Sequence, residues 1–76
     1  MKKIIEILEK VQPGHDYLNI NDYIEENIFD SLDIIQIVSL IEGEYNVSID
    51  GLDITPEYFK NLDSIIKLVK KYRGVL

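Results

Sequence analysis

The sequence contains no cysteine and only one histidine among its 76 residues. A disulfide and a cysteine-based zinc site are therefore excluded, and a histidine-rich metal site is not expected. A chain of this length buries only about 60% of its unfolded surface, and small domains often depend on disulfides or metals for stability. With both excluded, we expect stability to come from well-packed helices in a single domain.

Basic residues are also few: 8 lysines and arginines stand against 14 aspartates and glutamates, a formal net charge of −6. A pI near 4.5 argues against binding to nucleic acid and to anionic membranes, both of which attract basic proteins. A membrane-spanning helix needs about 18 consecutive apolar residues, and no apolar run comes near that length. No signal-peptide pattern follows Met1. We therefore expect a cytoplasmic protein that does not insert into a membrane.

The acidic charge is concentrated in the middle of the chain. Residues 16–63 contain twelve acidic residues and one lysine, a net charge of −11, whereas residues 64–76 carry four basic residues and no acidic one. This acidic region is either an ordinary solvated surface or a face offered to basic partners. Charge alone favours the solvated surface.

Apolar residues at helical spacing predict three longer helices over residues 2–12, 31–46 and 62–73. The helix-start signal Thr55-Pro56-Glu57 predicts a short one over residues 56–60. Leu68 is expected beside the apolar core stripe of the last helix, residues 62–73, and not within it. The predicted core residues are Ile4, Ile7, Leu8 and Val11; Ile34, Ile37, Val38, Ile41 and Tyr45; and Leu62, Ile65, Ile66 and Val69. We therefore predict an all-α fold, a small four-helix bundle.

Two long connections join these helices. Residues 13–30 carry so many apolar side chains that we expect the loop to be pinned onto the helices. Residues 47–54 are predicted to form an extended loop with a turn at Asp50-Gly51. Thr55 and Asn61 are the expected N-caps of the third and fourth helices.

The second helix has an unusual face opposite its core stripe. Leu32, Gln36, Ser39 and Gly43 lie on this face with Ile35 at its edge, so it is flat, small-sided and nearly uncharged. A glycine inside a helix costs about 1 kcal/mol relative to alanine. Gly43 therefore indicates either a close approach by another group or a weak last turn.

The tripeptide Asp30-Ser31-Leu32 lies where the long loop meets the second helix. Ser31 is at or beside the N-cap, where its hydroxyl can satisfy a backbone N–H group. The same position suits a serine with an attached phosphate, because the N–H groups and the dipole of a helix start stabilise negative charge. From three residues alone, the capping role is favoured.

The residues around the tripeptide form a wider pattern. Residues 22–33 resemble the segment that leads into and includes the attachment serine of carrier proteins. Residues 37–49 carry the apolar pattern of the helix that follows it. Residues 53–59 and 61–69 resemble the third and fourth helices. The chain thus resembles the acyl/peptidyl carrier protein family over essentially its whole length. It is most similar to the D-alanyl and peptidyl carrier branch.

The resemblance implies a single carrier domain over residues 1–76 that performs no catalysis. A phosphopantetheinyl transferase would move 4′-phosphopantetheine from coenzyme A onto the hydroxyl of Ser31. The terminal thiol of this arm would then carry acyl or aminoacyl groups as thioesters and present them to partner enzymes at high effective concentration. The implied partners are an adenylate-forming ligase and a downstream acyltransferase or synthase, and the expected state is a monomer.

The resemblance also implies roles for the residues around Ser31. Asp30 and Asp33 would help to recruit the transferase. Four residues would form the partner-contacting face of the second helix: Leu32, Ile35, Gln36 and Ser39. For Leu32 and Ile35, peripheral core packing is an open alternative.

The chain departs from the family pattern at three positions. Asn27 stands where many relatives have glycine, and because asparagine tolerates the left-handed conformation we expect the turn to be kept. Gln36 replaces an acid that is common in fatty-acid carriers, and Gly43 removes another. The reduced acidity favours an adenylate-forming ligase over fatty-acid synthase enzymes as the partner.

Three alternative interpretations compete with the carrier protein. The first is an unmodified acidic helical module that docks onto a protein partner. A small hydrolase would need a Ser31–His15 pair, which no spacing supports. Asp50, Asp53 and Glu57 superficially resemble a calcium loop but lack the alternating ligand spacing, so a turn before a capped helix is favoured.

Overall fold

The computed structural model describes residues 2–74, and within them the regular structure is helical without any strand. A short 3₁₀ turn, Gly51–Asp53, precedes the third helix. The α-helices are α1 (Lys2–Val11), α2 (Ser31–Tyr45), α3 (Pro56–Phe59) and α4 (Leu62–Arg73). The all-α prediction is confirmed, and each helix end lies within one residue of its predicted position. The turn predicted at Asp50-Gly51 within residues 47–54 is confirmed: the Asp50 side chain accepts the Leu52 N–H, and the backbone continues as a 3₁₀ turn to Asp53.

The predicted N-caps of α3 and α4 differ in the hydrogen bonds that their side chains make. The Asn61 side chain accepts the Ser64 N–H at 2.8 Å, which confirms it as the N-cap of α4. Thr55 occupies the N-cap position of α3, but within residues 2–74 its side chain makes no capping hydrogen bond. Pro56 follows it with a backbone angle preset for the helix and without an N–H group, so this one-turn helix begins without a side-chain cap.

The core lies where α1 packs against α2 and α4, with α3 packed on α4. Nine of the predicted core residues are buried, three on each longer helix, whereas Val11, Ile34, Tyr45 and Ile66 are only half-buried. Leu68 is fully buried and not flanking as predicted, because α4 packs against two helices and buries a wider stripe. The buried core residues are Ile4, Ile7, Leu8, Tyr17, Tyr23, Phe29, Ile37, Val38, Ile41, Ile49, Phe59, Leu62, Ile65, Leu68 and Val69.

Three buried aromatic rings fix the long loop between α1 and α2. Tyr17 and Phe29 stack with ring centroids 5.7 Å apart. The Tyr23 ring meets both edge-on, at 5.3 Å from Tyr17 and 5.6 Å from Phe29. Such offset and edge-to-face pairs are favourable beyond the area that they bury. The prediction that residues 13–30 are pinned onto the helices is confirmed.

The tyrosine hydroxyls tie the loop to its neighbours. The Tyr17 hydroxyl donates to the Gln12 carbonyl and also lies 3.3 Å from the Leu8 carbonyl, at the end of α1. The Tyr23 hydroxyl donates to the Tyr17 carbonyl, and the Tyr23 N–H donates to the Lys60 carbonyl after α3. These bonds join the loop to the end of α1 and to the residue that follows α3.

A tight turn brings the loop to the start of α2. The Asp22 side chain accepts the N–H groups of Ile24 and Glu25 at 3.0 and 2.9 Å. Asn27 has a φ of 58°, which is the left-handed conformation predicted for it. The turn therefore ends with the chain directed so that Phe29 enters the core immediately before Asp30.

Burial raises the pKa of both Tyr17 and Tyr23 to about 12, because a buried phenolate loses its hydration. In the unfolded chain a tyrosine ionises near 10, so the unfolded state loses its protons first. We predict that the free energy of unfolding falls as the pH rises from 10 to 12. Titration of the phenolate absorbance, with circular dichroism to follow folding, should show Tyr17 and Tyr23 among the late-ionising tyrosines, since the pKa values of Tyr45 and Tyr72 are also raised. Tyr23→Phe should remove one of them, and a single titration of all tyrosines near 10 in the folded protein would contradict the burial.

Candidate functional site

Ser31 is the first residue of α2, and Asp30 caps the helix. The Asp30 Oδ1 accepts the Asp33 N–H at 2.9 Å, and the Asp33 Oδ2 accepts the Asp30 N–H at 3.1 Å. This reciprocal pair is a capping box. The capping role considered for Ser31 is therefore filled by Asp30, and the exposed Ser31 side chain is not needed for it.

The start of α2 is also attached to the end of α1. The Gln12 side chain donates to Asp33 Oδ2 at 3.2 Å, so that one carboxylate oxygen accepts from both Gln12 and the Asp30 backbone. Asp33 is half-buried as a result, whereas Asp30 is exposed. The two carboxylates beside Ser31 are thus held by a defined network.

Ser31 borders an apolar groove of about 260 Å³. One wall is formed by Ile34 and Ile35 of α2, and the other by Ile54, Thr55 and Pro56, the segment that leads into α3. Sequence reasoning did not place this second wall beside Ser31. The position of this wall depends on how α3 packs. The Thr55-Pro56 signal predicted that a helix starts here, but it did not predict that residues 54–56 lie beside the start of α2.

The face of α2 predicted for partner contact is exposed. Leu32 is 71% exposed and Ile35 is 60% exposed, which excludes the alternative that they pack into the core. Gln36 and Ser39 are exposed on the same helix. The structure thus brings a serine, two apolar side chains and two small or neutral polar ones together on one accessible surface, next to the capping acids.

Gly43 lies in open space near the end of α2. Within residues 2–74, no atom from elsewhere in the chain comes within 4 Å of the position that a Cβ would occupy. A close approach inside the chain therefore does not explain this glycine. The helix continues beyond it to Tyr45, where Asn46 ends it in the left-handed conformation with its N–H bonded to the Glu42 carbonyl.

The other candidate residues lie outside this groove. His15 meets the Tyr17 ring edge-on at 5.8 Å, near the end of α1. The Asp53 carboxylate accepts hydrogen bonds from Lys71 and Tyr72 of α4. Across residues 2–74, acidic and histidine side chains form no group of three that could hold a metal ion. In the same residues, none of the helices combines the length and apolarity needed to cross a bilayer.

Comparison with known proteins gives no match, whether with family models, with curated proteins or with solved structures. The chemistry available at the start of α2 is therefore the basis for assigning a function. It consists of an accessible hydroxyl at a helix start, two fixed carboxylates and an adjoining apolar groove.

Unfolding measurements can show that Asp30, and not Ser31, caps α2. Asp30→Ala should lower the free energy of unfolding by about 1 kcal/mol, because it removes the capping oxygen. Asp30→Asn keeps a capping oxygen and should restore most of the loss. Ser31→Ala should change stability by no more than about 0.5 kcal/mol. Denaturant unfolding would contradict the assignment if Ser31→Ala were the more destabilised of the two alanine variants.

Proposed function

We propose that the chain is a carrier protein of the acyl/peptidyl type that bears 4′-phosphopantetheine on Ser31. The observation that carries the proposal is the exposed Ser31 hydroxyl at the first position of α2, left free of the capping role by Asp30. The resemblance of residues 22–33 to the approach to an attachment serine supports it. So does the all-helical fold, whose short helix precedes the last long one.

The residues around Ser31 fit this group. The N–H groups of Ser31 and Leu32 belong to the first turn of α2, where a helix has no carbonyl one turn earlier to accept them. They and the helix dipole favour a phosphodiester on the Ser31 oxygen without a basic side chain. The isoleucine and proline side chains of the groove offer an apolar surface directly beside that oxygen.

The attached group supplies a terminal thiol that can hold an acyl or aminoacyl cargo as a thioester. The chain itself contains no cysteine, so no side-chain thiol competes for the cargo. In the attachment step Ser31 Oγ forms the new bond to phosphorus, its proton passes to a base of the transferase, and coenzyme A loses 3′,5′-ADP. The chain acts as a substrate in this step and catalyses nothing.

The surface around Ser31 indicates the kind of partner. Asp30 and Asp33 favour basic side chains on a transferase, whereas Leu32 and Ile35 offer an apolar contact area. Gln36 and Ser39 keep the rest of the face neutral. This combination fits an adenylate-forming ligase better than enzymes with strongly basic docking patches, and it fits a cytoplasmic monomer that visits several enzymes in turn.

The direct test is intact mass after incubation with coenzyme A and a broad-specificity phosphopantetheinyl transferase. We predict a gain of one phosphopantetheinyl group on the wild-type chain and none on Ser31→Ala. Ser48→Ala is the matched control, because Ser48 is an exposed serine outside the contact face of α2, and it should be modified like the wild type. An unmodified wild-type chain, or a modified Ser31→Ala, would contradict the proposal.

A second candidate function is an unmodified module that docks through Leu32 and Ile35, whose exposure on an acidic background is the observation that favours it. It predicts binding to a partner without any mass gain, so the same experiment separates the two.

The contact role of these side chains has its own test. Leu32→Ala and Ile35→Ala should each slow modification of Ser31, since they remove apolar contact area. Because both side chains are largely exposed, unfolding should change by no more than about 0.5 kcal/mol. Rates equal to that of the wild type in both variants would show that these side chains do not contact the transferase.

A further inference from the structure

A polar cluster joins the 3₁₀ turn to the last turn of α4. Asp53 Oδ2 accepts a hydrogen bond from Lys71 Nζ at 2.8 Å and a second one from the Tyr72 hydroxyl. The Asp53 side chain is only 18% exposed, although it belongs to a surface turn. We refer to the contacts among Asp53, Lys71 and Tyr72 as the Asp53 clamp.

The Asp53 clamp engages the turn at two points. The Tyr72 hydroxyl, which donates to Asp53, also accepts the Asp50 N–H at 3.1 Å. The Lys71 ammonium lies about 6 Å from the centres of the Tyr58 and Tyr72 rings, within reach of a cation–π interaction. One phenol and one ammonium of α4 therefore hold both ends of the turn.

The charged forms of Asp53 and Lys71 favour each other. The hydrogen bond from Lys71 lowers the pKa of the Asp53 carboxyl, and the same bond raises the pKa of Lys71. An isolated surface ion pair contributes little, but this carboxylate is partly buried and has two side-chain donors. The clamp is therefore a fixed contact between the turn and α4.

The turn continues directly into one wall of the groove. The Thr55 N–H donates to the Asp53 carbonyl at 3.0 Å, and the Ile54 N–H donates to the Gly51 carbonyl at 3.2 Å. In the described chain the Thr55 side chain gives no capping bond that would hold this segment independently. The backbone that carries Ile54 and Pro56 is thus hydrogen-bonded to the turn that the clamp fixes.

We propose that Asp53 is a positioning residue: its clamp on Lys71 and Tyr72 holds residues 54–56 opposite the start of α2 and sets the width of the groove beside Ser31. The proposal rests on the proposed function in one respect, namely that the groove shields a group carried on Ser31. Releasing the clamp leaves Asp30 and Ser31 untouched, so attachment persists while the shielding is lost.

The clamp itself is tested on the unmodified protein by amide hydrogen exchange in NMR. Asp53→Asn keeps the shape but removes the charge, and Lys71→Met removes the ammonium from the other side. In both variants the Ile54 and Thr55 amides should exchange about tenfold faster, the effect of losing a charged hydrogen bond on a local opening. The Ile37 amide inside α2 should not change, and Asp53→Glu should restore part of the protection.

Leu52→Ala is the matched control, because Leu52 lies in the same turn and is 87% exposed. It should leave exchange at Ile54 and Thr55 close to that of the wild type. An increase in the clamp variants no larger than in Leu52→Ala would overturn the positioning role. An equal acceleration of Ile37, which would indicate general destabilisation, would overturn it too.

The shielding is tested on protein loaded from coenzyme A, by the rate at which its thiol reacts with the uncharged reagent 4,4′-dithiodipyridine. Asp53→Asn should be loaded like the wild type, and its thiol should then react several-fold faster. Equal thiol reactivity in the two proteins would overturn the shielding. A wild-type chain that is not loaded at all would contradict the proposed function, whereas hydrogen exchange in the unmodified protein still decides whether the clamp positions the wall.

Discussion

The packing of Tyr17, Tyr23 and Phe29 is the interaction on which the rest of the structure depends. A chain without disulfides must hold an 18-residue connection, residues 13–30, by packing and hydrogen bonds, and these three buried rings supply the packing. Phe29 is the last buried residue before α2, so its position determines where Asp30 caps the helix. Ser31 then emerges at the surface because the residue two places before it is fixed in the core.

The helices were predictable because their signals are local. Periodic isoleucines and leucines predicted the three longer helices, and the Thr55-Pro56 start signal predicted α3. Asn61 predicted a cap, and Asn27 predicted a left-handed turn. The groove wall and the Asp53 clamp were not predictable, because the clamp joins residues 18 and 19 positions apart and depends on the packing of α3 and α4. Leu68 was misplaced for the same reason, since only the packed bundle shows that α4 has two neighbours.

The structure shows where the unevenly distributed charges of the chain make contacts. The basic residues near the end of α4 are partly engaged with the acidic middle: Lys71 binds Asp53, and Arg73 lies 5.4 Å from the centre of the Tyr45 ring. The acids beside Ser31 take part in the capping box of α2, in which each carboxylate of Asp30 and Asp33 accepts the backbone N–H of the other residue. The result is a neutral, partly apolar face on α2 within an acidic surface; under our proposal the surrounding acids would steer basic partners towards this face.

The central claim is that Ser31 is the attachment point of a carrier protein, and tandem mass spectrometry of the proteolysed chain tests it most directly. The chain would be co-produced with a phosphopantetheinyl transferase and digested, and its four serines would be compared: Ser31, Ser39, Ser48 and Ser64. Our account predicts a phosphopantetheinyl group on the Ser31 peptide alone. An unmodified Ser31 peptide, or the group on any of the other three serines, would contradict it.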